Sequence, residues 1–139
     1  MENLEYNTPN EIIKKLDTFK GKRALIGDYF AFSYANTKMV LESLGFEIDI
    51  EKTMYAVKQK ALQNNYDVIF TNNIYQIGGT GPDLLKELKE NKSFKTPIII
   101  HTISDNTDNY FTNLGFDGYL KKPIKQDETM QLLKKILGE

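Results

Sequence analysis

A chain of 139 residues is long enough for one domain with its own core, and without cysteine it has neither a disulfide nor a thiolate metal staple, which suits a reducing compartment. Its 18 Lys and Arg offset 19 Asp and Glu, so there is no global field to draw nucleic acid or an anionic membrane. The longest apolar run, Pro97-Ile98-Ile99-Ile100, is far too short to span a bilayer, and the acidic start Met1-Glu2-Asn3-Leu4-Glu5 is no secretory signal, so a soluble, cytoplasmic domain is expected.

Residues 1–22 differ in pattern from the rest of the chain. Thr8-Pro9-Asn10-Glu11 reads as a capping box with proline at the first helical position, and Ile12, Ile13, Leu16 and Phe19 form an apolar stripe that ends before Gly21. An N-terminal amphipathic helix is therefore predicted. It either packs on the domain or serves as a linker or dimer contact.

From residue 23 to 139, short apolar runs alternate with segments of helical period. Strands are predicted over 24–27, 46–50, 68–71, 98–102 and 118–120, several of them apolar at consecutive positions, as in parallel strands covered on both faces. The helix after the first strand carries Ala35, Met39, Val40 and Leu44 and stops at Gly45; the next carries Val57 and Ala61 and stops near Asn64-Asn65. The third begins at Pro82 and turns Leu84, Leu85 and Leu88 inward. A short fourth fits 107–114. The last fits 126–137, with Asp127 and Glu128 in its first turn and Lys134 and Lys135 in its last to complement the helix dipole. Five such units in series predict an α/β fold with one five-stranded parallel sheet, doubly wound between two helical layers.

In open α/β sheets the ligand site lies beyond the carboxyl ends of the strands. The residues that close the apolar runs there are Asp28, Asn72, Thr102 and Lys122. A carboxylate, an amide, a hydroxyl and an ammonium are thus expected to converge at one rim. Taken singly, each has the plainer reading of a helix cap or turn former.

Their order and spacing carry a resemblance over residues 22–137. Gly21-Lys22-Arg23-Ala24-Leu25-Ile26-Gly27-Asp28-Tyr29 resembles the first strand and following acidic pair of the receiver domains of two-component systems. Tyr66-Asp67-Val68-Ile69-Phe70-Thr71-Asn72 resembles the third strand running into the phosphorylated aspartate, and Pro97-Ile98-Ile99-Ile100-His101-Thr102 the fourth with its hydroxyl residue. Gly115-Phe116-Asp117-Gly118-Tyr119-Leu120-Lys121-Lys122-Pro123 resembles the fifth with its Lys-Pro, the most specific of these patterns. The Gly-Lys-Arg start and the Leu44-Gly45-Phe46 turn look most like receivers of hybrid histidine kinases. The resemblance implies a flavodoxin-like sheet of order 2-1-3-4-5, a place in a phosphorelay, and a histidine kinase, phosphotransfer protein or sister receiver as partner.

The chain departs from that family at the reacting atoms. The resemblance makes Asp28 the first metal-holding acid, Thr102 and Lys122 the phosphate partners, Tyr29 the occupant of the second acid's place and Asn72 the occupant of the nucleophile's. The following loop reads one residue longer than usual, so Asn73 is the alternative to Asn72. Either amide is no nucleophile at neutral pH and forms no acyl phosphate. One vestigial carboxylate, Asp28, beside a lysine also predicts weak magnesium binding or none. Tyr119 falls at the aromatic switch position, and Tyr110 lies near it on the surface receivers use to address partners; that surface borders a fourth helix that reads shorter than usual.

His101, the single histidine, lies in an apolar strand and reads as a packed, hydrogen-bonded core residue. Gly78-Gly79-Thr80-Gly81 before a helix is able to cradle a phosphate but lacks the lysine of a P-loop, so a plain loop is preferred. The expected function is that of a pseudo-receiver, a binding module and no enzyme. One rival is an authentic phosphoacceptor that uses another acid at the rim, such as Asp67 or Asp105, or that has had an aspartate replaced by asparagine through engineering. The other is a flavodoxin-like module that binds a phosphorylated small molecule through the glycine loop.

Overall fold

The computed structural model describes residues 13–138. Five parallel strands, β1 (Arg23–Gly27), β2 (Glu47–Glu51), β3 (Val68–Thr71), β4 (Ile98–Thr102) and β5 (Gly118–Lys121), lie in the order β2-β1-β3-β4-β5. The helices between and after them are α1 (Ala31–Ser43), α2 (Met54–Gln63), α3 (Gly81–Lys89), α4 (Tyr110–Leu114) and α5 (Gln126–Leu137). This is the predicted doubly wound, flavodoxin-like architecture. Among the described residues no helix is long and apolar enough to cross a membrane.

Burial explains the strand assignments. β3 and β4 are buried at every position, as central strands covered on both faces must be. Edge strand β2 instead alternates Glu47-Ile48-Asp49-Ile50-Glu51, and its charges discourage pairing with another chain. One core lies between the sheet and α2, α3 and α4, with Val57, Leu84, Leu88 and Phe111 against Leu25, Ile69 and Ile100. The other lies under α1 and α5, where Val40, Leu41 and Leu133 meet Ala24, Ile26, Phe70 and Ile99.

Two expectations are corrected. Thr8-Pro9-Asn10-Glu11 and Ile12 lie outside the described residues, but from Ile13 to Lys22 the chain is irregular and then turns, with no helix. Leu16 and Asp17 donate their N–H groups to the Ser43 carbonyl and Phe19 donates to Leu44, so this segment caps the C-terminal carbonyls of α1. Phe19 is buried and stacks on Phe46 at 5.2 Å. Gly45 permits the approach: at φ 107° it has the Lys20 nitrogen 2.6 Å from where a Cβ would stand. The second correction concerns α1, whose inward face is Thr37, Val40 and Leu41, while Ala35 and Met39 face solvent.

Buried Gln126 ties the N-terminal segment to α5 through both ends of its amide. Its Nε2 donates to the Lys14 carbonyl at 2.6 Å and to Ser43 Oγ at 2.9 Å, and its Oε1 accepts from the Lys14 N–H at 3.3 Å. Gln126→Ala strands these groups and is expected to lower stability by about 1–3 kcal/mol. Urea unfolding reads the loss; a change within error would mean that water replaces the amide.

Candidate functional site

Asp28, Asn72 and Lys122 meet at the carboxyl end of the sheet because β1, β3 and β5 end there in register. Gly27 pairs with Thr71, and the Asn72 N–H continues the ladder to the Gly27 carbonyl at 2.8 Å. The Asp28 side chain is fully buried, and both of its oxygens are engaged. Oδ1 accepts from the Phe30 N–H at 3.1 Å and from Asn72 Nδ2 at 3.2 Å. Oδ2 accepts from Ser33 Oγ at 2.6 Å and from Lys122 Nζ at 2.8 Å, and Lys122 also donates to Ser33 Oγ. A buried carboxylate is thus neutralised by one ammonium and solvated by protein donors.

Asn72 is the residue whose amide reaches Asp28. It also donates to the Ile74 carbonyl at 3.2 Å and accepts the Asn73 N–H at 2.8 Å. Asn73 lines the cleft beside it. Thr102 is buried at the same cleft, but its Oγ1 accepts from the Ser104 N–H at 3.2 Å and makes no hydrogen bond to Asp28, Asn72 or Lys122 among the described residues. Tyr29 stands partly exposed at the mouth.

This donor set does not fit a hard divalent cation, which needs several anionic or carbonyl oxygens open to it. Asp28 offers none free, and no cluster of three acids, histidines or cysteines suited to a metal occurs among the described residues. Asp67 lies at the opposite end of the sheet, where it accepts from the Arg23 N–H at 2.8 Å. Asp105 follows β4 but pairs with Lys121 at 2.6 Å on the surface.

The remaining sequence features sort by contact. His101 is fully buried, with Nδ1 3.0 Å from Thr37 Oγ1 and Nε2 facing Asp28 Oδ2 at 3.9 Å without a hydrogen bond. The glycine loop closes on itself, Tyr75 N–H to Gly79 carbonyl at 2.9 Å. Asp83 accepts from the Thr80 N–H in a capping box, so its own carboxylate sits where an anion would bind the helix start. Before the short α4, Asp108 and Asn109 adopt left-handed backbone angles that Asp and Asn tolerate. Tyr119 stacks on Phe111 at 5.5 Å and donates its hydroxyl to the Ser104 carbonyl at 2.8 Å, a link from β5 to the loop after Thr102. Tyr110 is exposed.

Sequence reasoning missed Ser33, the hydroxyl shared by Asp28 and Lys122, and an apolar collar of Phe30, Phe32, Ile74 and Ile103 around the cleft. Strand ends point to the floor of such a site. Its walls come from the first turn of α1 and the loops after β1, β3 and β4, where apolar residues just beyond strand ends were the available signal.

Comparison with known proteins agrees with the geometry. The response regulator receiver domain family matches residues 25–134. Over 94 residues the chain is 32% identical to the response regulator ArlR of Staphylococcus haemolyticus, an alignment covering 66% of this chain and 42% of that protein. The chain thus spans less than half the length of the curated relatives it matches. A two-component response regulator from Clostridium difficile superposes with TM-score 0.70 at 28% identity, covering 85% of this chain and 97% of that one. The receiver domain of a sensor histidine kinase from Pseudomonas aeruginosa, with magnesium coordinated in its active-site cleft, gives TM-score 0.75 over 86% of this chain and 99% of that one. At 20% identity that likeness speaks for the fold alone.

Proposed function

The chain belongs to the response regulator receiver domain family, and from that membership we propose a receiver that acts in two-component signalling by docking a protein partner and takes up no phosphoryl group itself. One observation carries this reading: an amide, Asn72, continues β3 at the rim and is hydrogen-bonded to the buried carboxylate of Asp28. A phosphoacceptor must present a carboxylate oxygen to phosphorus, and an amide does not attack. Asp28 is paired with Lys122 and both of its oxygens are taken by protein donors, which weighs against a metal-assisted transfer. The remote Asp67 and the surface-paired Asp105 weigh against a substitute acceptor, and the Asp83 capping box weighs against a phosphate site in the glycine loop. Such a module is a binding protein and no enzyme. Its proposed setting is the cytoplasm, with a sensor kinase, phosphotransfer protein or sister receiver as partner.

Incubation with acetyl phosphate and magnesium, followed by intact-mass analysis, tests the reading. No hydroxylamine-labile adduct is expected. An adduct mapped to any aspartate of the wild-type chain sinks it. The fair rescue is Tyr29→Asp with Asn72→Asp, which restores both missing acids.

The proposed docking face is formed by α4, β5 and α5, with Tyr119 held in one rotamer by Phe111 and the Ser104 carbonyl. Tyr119→Ala or Tyr110→Ala is expected to weaken partner binding by about 1–3 kcal/mol where an aromatic anchor is lost. Beryllofluoride, which needs the absent carboxylate, is expected to leave that affinity unchanged. Calorimetric titration against candidate partners measures both. Unchanged affinity in each variant moves the interface elsewhere.

A further inference from the structure

The cleft above Asp28 and Asn72 encloses about 530 Å³, a volume that suits a small molecule. Its walls are apolar and open to solvent: Phe32 is 86% exposed and Ile103 77%, with Tyr29, Phe30 and Ile74 beside them. Ring centroids lie 6.3 Å apart for Tyr29 and Phe30 and 5.7 Å for Phe30 and Phe32, so one wall is a run of aromatic surface. Large apolar side chains gathered around one opening mark a binding site more strongly than the same residues scattered, and a flat apolar body laid on them removes that area from water.

Beneath the walls the floor is polar and rich in donors. Lys122 spends two of its N–H groups on Asp28 and Ser33, which leaves a third. Thr102 Oγ1 accepts from Ser104 and keeps its own proton to donate. The Asn73 side-chain amide makes no hydrogen bond among the described residues. Charge decides what such a floor accepts. Lys122 is already balanced by Asp28, and among the described residues no second cation lines the cleft, so a phosphoryl dianion finds little compensation. A single carboxylate needs less positive charge and fits three donors.

We propose that this cleft binds a small planar aromatic carboxylate, with its carboxylate on Lys122, Thr102 and Asn73 and its ring against Phe30, Phe32 and Ile103. The inference rests on the reading of the site as one that takes no phosphoryl group, and it goes further by assigning the place to a different ligand chemistry.

Titration of the nitrogen-15-labelled full chain with 2-naphthoate, followed by amide chemical shifts, tests it. Saturable shifts centred on Asn73, Thr102 and Ile103 are expected, with affinity about tenfold above that for 2-naphthalenemethanol, which keeps the rings and loses the charge. Phe32→Ser, at an exposed position outside the hydrogen-bond network, is expected to weaken 2-naphthoate about tenfold while the remaining amide spectrum stays native. No saturable shift, equal affinity for the alcohol, or undiminished affinity in Phe32→Ser overturns the proposal. Shifts at the same residues on concentrating the protein alone assign the walls to a second copy of the chain and overturn it equally. A parallel acetyl phosphate incubation keeps the two readings apart. An adduct with the naphthoate shifts intact rejects the phosphate-free reading alone, whereas no adduct and no shifts rejects this inference alone.

Discussion

Lys122→Ala is expected to cost the fold about 3–5 kcal/mol, because it leaves a fully buried carboxylate without its cation. The Asp28 side chain is 0% exposed and that of Lys122 9%, so in the folded protein the ammonium, not water, holds Oδ2. The Phe30 N–H, Ser33 hydroxyl and Asn72 amide remain as donors, and they solvate the charge without cancelling it. Removing the charge along with the lysine changes the outcome. Asp28→Asn with Lys122→Met keeps the volumes, presents an amide to Ser33 and is expected to return to within about 1 kcal/mol of wild type. Urea denaturation of the three proteins at pH 7 measures this. A loss below about 1 kcal/mol in Lys122→Ala would show that solvent reaches Asp28 and that the pair does not hold the rim together.

The same pair shows how far the sequence was readable. Strands covered on both faces write themselves as consecutive apolar residues, so β3 and β4 and the polar residues that end them were visible. Asp28, Asn72 and Lys122 were legible from where the sheet stops. Ser33 was not: five residues past Asp28 and inside α1 it reads as an ordinary helix serine, and its other partner, Lys122, is 89 positions away. The N-terminal segment misled for a related reason. Ile12, Ile13, Leu16 and Phe19 fit a helical stripe, yet Leu16 and Phe19 find backbone acceptors at Ser43 and Leu44 across the fold, and those bonds leave no local trace. In α1 the inward face includes Thr37 beside Val40 and Leu41, a polar side chain inside an apolar face because His101 is its partner. A periodicity argument treats such a residue as outward and shifts the whole stripe. In the loop after β3, Tyr75 was not legible as core: its ring is buried against Gly27 and its hydroxyl is 2.7 Å from Thr71 Oγ1. A side chain at Gly27 would also meet Val57 Cγ2 at 2.8 Å, which explains why the strand reaches Asp28 through a glycine.

Below pH 6.5 the domain is expected to lose stability at about 1.4 kcal/mol per pH unit through His101 alone, about 2 kcal/mol by pH 5. Unfolded, the imidazole takes a proton near its ordinary 6.5; folded, burial first and the Lys122 charge second hold it down at about 3, while Asp28 pulls the other way. Between those values the unfolded chain binds a proton that the native chain refuses. The contribution is therefore fully present above pH 6.5 and is lost as pH falls toward about 3. Asp49 is also held below its ordinary value of 3.8, first by the Tyr66 hydroxyl, so its loss begins lower and leaves the upper part of this window to the histidine. His101→Gln keeps a polar group beside Thr37 and removes the titration, so its stability is expected to vary far less between pH 7 and pH 5 even if it starts lower. Urea unfolding of both proteins across that range compares the slopes. Equal slopes would mean that His101 takes its proton while folded, on the Nε2 that already faces Asp28 Oδ2 at 3.9 Å, where it would compete with Lys122.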